Sequence, residues 1–395
     1  MNGFLSEVCV NHDVEFAGSL PGRQPGLIIH EDGRRTLVTE GPILPKPEKG
    51  DCSTILNILE GTLGTKQAKI FMAALRESVR SFRSGDWQQS QAIILAGPIN
   101  SNKSLIIRTI YVPMLGGRAV NAYPYFIGST EFNGEFLRAE VLVVDDDVYR
   151  SEATSRARLG AHIKKVTMGS FGAQVHPKGK EPLNITPNWR VIMALNDDPE
   201  CLQLLPLLER SNADKYLLLK TNDYPLPLPA DTPEEKTLLR AKLRKEYSAF
   251  AHFLLHEFEP PKDVVGGRTG VRPFLNPSLL GELRQFGPEA AVISILEPVW
   301  KTLSLSVGQE EPFATEEKEA KRYRWTGTAA ELIRQVKLRD SDAGRALESL
   351  NKNGNQLGIY LKNLSHKFPD DICLTSRAGG VNRFEISLPL SEAFQ

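Results

Sequence analysis

The sequence predicts an α/β protein built on a parallel sheet, and three observations lead there. Four short apolar runs, AIILAG (92–97), EVLVVDDD (140–147), WRVIMALND (189–197) and KYLLLK (215–220), are separated by helical or turn-rich stretches. Uninterrupted apolar runs of this length are what strands buried on both faces of a parallel sheet look like. The first run leads into a glycine-led turn and a helix start, while the second and third end in polar groups, Asp145, Asp146 and Asp147 in one and Asn196 in the other. Open α/β sheets bind ligands at the C-terminal ends of their strands, which is where these groups fall.

The bulk numbers set the frame. At 395 residues, 41% hydrophobic and 24% charged, the chain suits two or three globular domains. Lys plus Arg equals Asp plus Glu at 48 each, so a nucleic-acid surface has to come from local clustering of cations. The four cysteines Cys9, Cys52, Cys201 and Cys373 form no Cys-x-x-Cys pair, which fits a reducing compartment and argues against a zinc ribbon. The opening MNGFLSEVCVNHDVEF has neither a basic start nor a sustained apolar stretch, and no run of membrane length occurs; a cytoplasmic protein without membrane contact is expected.

Taken in order, residues 1–50 mix Gly, Pro and charge and predict an irregular leader, with one short hairpin at LIIHEDGRRTLV. Residues 51–90 turn helical, Ile70, Ala73, Ala74 and Val79 following a buried stripe, and predict a helical subdomain. The sheet core is expected over 91–222. Four prolines in TNDYPLPLPADTPEEK then make an extended linker, and Thr232, Pro233 and Glu235 form a capping box that starts a long helix to about Phe258. With further helices in NPSLLGELRQF and PEAAVISILEPVWKTL, this linker and helical subdomain spans 223–318, leaving 319–395 as a small separate domain.

The chemistry centres on AGPINSNKSL, in which Gly97, Pro98, Ile99, Asn100, Ser101, Asn102, Lys103, Ser104 and Leu105 follow the buried strand. This is the G-x-x-x-x-G-K-[ST] phosphate loop with Asn102 at the second glycine. Backbone N–H groups at the helix start wrap phosphates, Lys103 balances the β/γ charge and Ser104 holds Mg²⁺. Asn tolerates left-handed backbone better than other non-glycine residues, so binding of ATP survives the substitution. A strand–turn–helix with an incidental Lys-Ser pair would read the same in isolation, and the other strands decide. Of the acids closing the second strand, Asp146 is assigned to the Mg²⁺ shell and Asp147 to polarising the attacking water. Asn196 at the end of the third strand would orient that water.

With these pieces in order, the chain resembles the superfamily 3 helicases, more narrowly the helicase-like ATPase modules of phage and plasmid primases. The resemblance covers about residues 55–390 and rests on AGPINSNKS, VVDDD, IKKVTMGSFGAQVHPKGKEPLNI and WRVIMALNDDPECLQLLPLLERSNADKYLLLK. It implies a P-loop (AAA+-like) parallel-sheet ATPase core with flanking helical segments, working as a homo-oligomer, a hexamer. It also implies that Lys178, with His176 and Lys180, sits on a hairpin gripping single-stranded DNA in a central channel, and that Arg210 reaches a neighbouring subunit's γ-phosphate. Two departures stand out: Asn102 replaces glycine, and the acidic strand ends in Asp where the family often has Glu. An Asp is one methylene shorter, and a displacement of that size can cost ~10²-fold in rate.

From Trp325 onward, TAAELIRQV, DAGRALESL and NQLGIYLKNLSHKF carry apolar residues at helical spacing, and ICLTS with RFEISL makes a hairpin across RAGGVN. Three helices and a hairpin resemble a winged helix-turn-helix. The third helix would then offer Lys362, Asn363, His366 and Lys367 to duplex DNA, with Arg377 and Arg383 on the wing. His252 and His256 are set aside as a helix-face pair, since the Glu of a zinc-protease motif is missing between them.

Two functions compete on these grounds. One is an ATP-dependent DNA helicase or translocase subunit; the other is an ATP-binding assembly factor or helicase loader with little turnover, which the two departures favour. A small-molecule phosphotransferase leaves the C-terminal domain unexplained. The first 50 residues are too few for a primase domain, so a primase or polymerase partner is expected on another chain.

Overall fold

The three-dimensional description is a computed structural model covering residue 7 and residues 13–145, 153–169, 173–179, 182–202, 205, 213–285, 288–304, 323–351, 354–378 and 381–388. The chain divides into two compact units, Met1–Leu280 and Gly281–Gln395.

The leader folds more fully than its composition suggests. Strands β2 (Gly26–Ile29) and β3 (Arg35–Val38) form the expected hairpin, and β1 (Phe16–Gly18) adds to β3 in parallel. What fastens this small sheet is a charge at the start of a core strand. The Glu140 carboxylate, with no exposed surface, accepts from the Gly22 N–H at 3.0 Å and is paired with Arg118, whose guanidinium also donates to the Ser19 hydroxyl at 2.5 Å.

Helix α1 (Ser53–Ser84) fills the segment expected to be helical, bends at Gly64, where the backbone leaves helical geometry, and ends on Gly85 in the left-handed region. Its apolar stripe, Ile55, Ile58, Phe71 and Leu75 among others, is buried in one cluster with Ile93 and Leu95 of β4 (Ala92–Gly97). The segment expected as a separate helical subdomain is therefore one layer of the core.

All four predicted strands form: β4, β6 (Val141–Val144), β9 (Arg190–Asn196) and β10 (Tyr216–Lys220), with β6 three residues shorter at its end than the segment 140–147. They sit in a six-stranded, all-parallel sheet of order β11-β10-β4-β9-β6-β5. The two edge strands, β5 (Ala119–Asn121) and β11 (Phe274–Leu275), were not anticipated; at three and two residues they are too short to show a pattern. Between the second and third core strands, β7 (Ala173–Val175) and β8 (Leu183–Ile185) form a separate antiparallel hairpin.

After β10, the capping box forms as read: Glu235 N–H donates to Thr232 Oγ1 at 3.2 Å and Thr232 N–H to Glu235 Oε2 at 2.9 Å. The helix it starts, Pro233–His252, passes into a wider π-turn over Phe253–Glu257 and stops at Phe258, so the end expected at Phe258 holds.

In the second unit, helices Ala329–Arg339, Ser341–Leu350 and Gln356–Lys367 precede the hairpin of β13 (Ile372–Ala378) and β14 (Val381–Leu388). Of the predicted stripe residues, Leu332, Val336, Leu347, Leu357, Leu361 and Leu364 are buried, and Ala329, Ile333, Ala343, Leu350 and Phe368 are partly buried against them. A further strand, β12 (Tyr323–Thr328), pairs with β14. The boundary expected at 318 is displaced, because Val292, Ile293, Leu296 and Val299 of the helix Pro288–Ser304 share this unit's core. Among the described residues no helix is long and apolar enough to cross a membrane.

Candidate functional site

The glycine at the head of the loop is required by space. A Cβ on Gly97 would lie 2.2 Å from Thr221 Oγ1 and 2.4 Å from the Thr221 carbonyl oxygen, distances no side chain can occupy. β4 and β10 are neighbours here, and Thr221 N–H donates to the Ala96 carbonyl at 2.8 Å. The loop beyond turns on two asparagines, Asn100 at φ 65° and Asn102 at φ 61°, the two non-glycine residues with positive φ among those described. Asn102 thus performs the conformational task of the missing glycine, as its type allows. Its side-chain amide also donates to the Tyr224 carbonyl at 2.9 Å. Ser101 is buried, its hydroxyl 2.7 Å from that of Thr221, while Pro98 and Ile99 are exposed at the tip and Leu105 is half-buried.

Lys103 is buried with its ammonium turned into the loop. It donates to the Gly97 carbonyl at 2.9 Å, the Pro98 carbonyl at 2.6 Å and the Ser101 hydroxyl at 3.2 Å. The positive charge therefore sits inside the turn that a phosphate would fill. One residue on, the Ser104 hydroxyl donates to Asp145 Oδ1 at 2.7 Å. The other carboxylate oxygen, Oδ2, accepts from Arg108 Nε at 3.2 Å and Nη2 at 2.9 Å. Asp145 has a side chain only 4% exposed; that of Arg108 is 67% exposed.

Asn196 completes the edge. It lies in register with Gly97 across β4 and β9, and Asp197 N–H donates to the Gly97 carbonyl at 3.1 Å. Gly97, Asn196 and Asp145 thus stand at the ends of three adjacent parallel strands, β4, β9 and β6, as the sequence order required. Asp146, Asp147 and Arg210 lie outside the described residues. Sequence reasoning passed over Arg108, Thr221 and Tyr224. Arg108 had a signal, standing four residues after Ser104 on one helical face; the other two had none, because only the fold brings them to the loop.

The cationic hairpin forms where expected. Lys178 is exposed at its tip next to Gly179, at φ 72°, while His176 is half-buried and its backbone is tied to Asn133 by bonds of 2.7 Å and 3.3 Å. Lys180 lies outside the described residues. In the second unit, Lys362 and His366 are exposed, but the Asn363 amide donates to Glu289 Oε1 at 3.0 Å and is occupied within the domain. Arg383 is 3.7 Å from Glu331 and still 43% exposed. The side chains of Lys367 and Arg377 lie outside the described residues.

Among the described residues no group of three His, Cys, Asp or Glu side chains is placed to hold a metal. A Mg²⁺ ion at Ser104 and Asp145 would draw its remaining ligands from water and a substrate's phosphates, the usual habit of this cation.

No family model and no curated protein matches this chain. Among solved structures, the apo C-terminal region of NrS-1 superposes with a TM-score of 0.54 at 12% identity, covering 93% of this chain and 84% of that one. An A-form apo structure of the same region scores 0.53 at the same identity and coverage. A structure described as an active helicase, SCCmec type IV Cch, scores 0.27 at 12% identity over 93% of this chain and 62% of that one, too loose a likeness to carry residue assignments. The common ground with the NrS-1 region is the fold, and a fold hosts many functions.

Proposed function

We propose that this chain is an ATP-dependent DNA-translocating subunit of the helicase class. The reading rests on the Gly97–Ser104 loop, where a sterically enforced glycine, two left-handed asparagines, an inward lysine and a serine bonded to a strand-end aspartate meet at one sheet edge. The residues fit a Mg²⁺-nucleotide. Backbone N–H groups from Asn100 onward would receive phosphate oxygens, Lys103 would exchange its loop carbonyls for phosphate, and Ser104 with Asp145 would hold the cation.

The Ser104–Asp145 bond supports a proposal in which each acid role shifts by one position. Asp145 takes the metal role given to Asp146, and Asp146 becomes the acid beside the attacking water; Asn196 keeps its water-orienting role. Nucleotide bound here would supply the hydrolysable phosphoanhydride, and the shortened acid would keep turnover slow. Exposed Lys178 suits contact with a DNA backbone, Arg210 remains the candidate finger between subunits of a hexameric ring, and the C-terminal unit would serve as a winged helix.

The test is ATP hydrolysis with Mg²⁺, with and without single-stranded DNA, for the natural chain and Lys103→Ala. DNA-stimulated phosphate release that Lys103→Ala abolishes is the expected result. A second reading, a nucleotide-dependent assembly factor, is favoured by one observation: Lys103 and Asp145 are both engaged by protein groups. ATP-dependent assembly on DNA without phosphate release would decide for it.

A further inference from the structure

Arg108 is the residue at this edge with no role so far, and three observations bear on it. Its guanidinium grips Asp145 Oδ2 through two nitrogens, at 3.2 Å and 2.9 Å, while Ser104 holds Oδ1 at 2.7 Å. The carboxylate is buried at 4% exposure, and a buried carboxylate needs a counter-charge. Arg108 itself is two-thirds exposed, so it can let go without a large change in its own hydration.

The perch from which Arg108 reaches is built. The helix begun by Lys103–Ile106 widens into a π-turn over Ile107–Tyr111, an irregularity frequent at functional sites. Just beyond it, Pro113 has no N–H to offer the carbonyl of Thr109, and the Tyr247 hydroxyl donates to that carbonyl instead, at 2.6 Å. Tyr247 belongs to the helix Pro233–His252, so a distant element fixes the turn that carries Arg108.

We propose that Arg108 is a gate on the metal position: in the nucleotide-free chain its guanidinium supplies the positive charge at Asp145, and a divalent cation enters by displacing it. This rests on the nucleotide reading above and adds its regulation. A dication at Ser104 and Asp145 repels a guanidinium held on the same carboxylate, so cation binding and the Arg108–Asp145 pair disfavour each other. Cation arriving alone meets an occupied acid, whereas cation arriving with a nucleotide brings phosphate to compensate the released arginine. The gate thus makes the loop select metal-loaded nucleotide.

The experiment follows Mn²⁺ by electron paramagnetic resonance, in the whole 395-residue chain with ADP and without it, for the natural sequence, Arg108→Ala, Arg108→Lys and Asp145→Asn. If the paired state is populated to about nine-tenths, removing the gate tightens Mn²⁺ binding about tenfold, since apparent affinity scales with the competent fraction. Arg108→Lys, unable to grip with two nitrogens, falls between the two, and Asp145→Asn cancels the effect of Arg108→Ala when combined with it. Unchanged or weaker Mn²⁺ binding in Arg108→Ala overturns the gate and makes Arg108 a positioning group for Asp145 or a phosphate contact. A fluorescent ADP analogue that binds none of these chains, with or without Mn²⁺, overturns the nucleotide reading and the gate with it. Thermal melts verify that each variant is folded.

Discussion

The side-chain amide of Asn102 donates a 2.9 Å hydrogen bond to the backbone carbonyl of Tyr224, joining positions 122 residues apart. This bond gives the departure from the glycine pattern a physical reason. The backbone of Asn102 sits at φ 61°, where a glycine would sit, and the side chain a glycine lacks fastens the loop to the segment leaving β10. Tyr224 in turn lies against α1, its ring filling the space where a Cβ of Gly61 would be, 2.4 Å away. The loop, the linker and α1 are therefore joined in one continuous series of contacts.

Asn102→Gly keeps the backbone conformation and removes the tether. A neutral hydrogen bond contributes about 1 kcal/mol net, so nucleotide affinity should fall by no more than about fivefold. Asn102→Val adds left-handed strain of about 1–2 kcal/mol at the same position and should be the less stable. Urea unfolding and fluorescent-nucleotide titration of both variants measure this; a valine variant as stable as the glycine one would remove the conformational argument.

Gly97→Ala should be severe and should not be rescued by trimming Thr221. The added Cβ meets both the hydroxyl and the backbone carbonyl of Thr221, and Thr221→Ala removes only the first. Overpacking against backbone costs about 1–3 kcal/mol or more. Thermal melts of the single and double variants test this; restoration by Thr221→Ala would place the conflict in the side chain alone.

The meeting of the loop and the strand ends at one sheet edge was legible in the sequence, and the neighbours it did not reveal have identifiable causes. The four core strands were visible because strands buried on both faces are apolar throughout, and the helix at Pro233 because its capping residues are local. The loop carrying Lys103 and Ser104 was marked by its motif, and its position beside Asn196 by strand order. The acid that meets the loop was not legible: three consecutive aspartates leave the register ambiguous, and only the folded chain shows Ser104 bonded to Asp145. Thr221 reaches the loop across β4 and β10 from 120 residues away, and no local pattern marks such a partner. The leader was misjudged for the same reason, since the carboxylate holding it, Glu140, is 118 residues from Gly22.

Lys178 is exposed at the tip of the β7–β8 hairpin, and there the reading predicts contact with DNA phosphate. Each single-strand phosphate neutralised contributes about 0.7 to the slope of log affinity against log salt concentration. Lys178→Ala should lower that slope by about this amount for every phosphate the lysine neutralises. Binding should weaken across sequences alike, and nucleotide affinity should stay as it was. Fluorescence anisotropy with oligonucleotides over a salt series gives the slope, and an unchanged slope would take Lys178 out of the interface.

Glu140 offers the sharpest test of what holds the leader. Its carboxylate is fully buried and meets Arg118, at 2.9 Å from Nε to Oε2, together with the Gly22 N–H at 3.0 Å. Glu140→Ala strands an arginine that is only 18% exposed and leaves the Gly22 donor unpaired. Breaking a buried pair from one side costs about 3–5 kcal/mol. Removing Arg118 as well takes away the stranded charge, so Arg118→Ala/Glu140→Ala should be clearly less destabilised than the sum of the two single variants. In Glu140→Ala, limited proteolysis should cut within residues 13–25 under conditions where the rest of the chain resists, because the leader's anchor has gone while the parallel sheet has not. Simple additivity of the two substitutions, or a leader as resistant as in the natural chain, would mean that β1–β3 are held by their own packing and not by this charge.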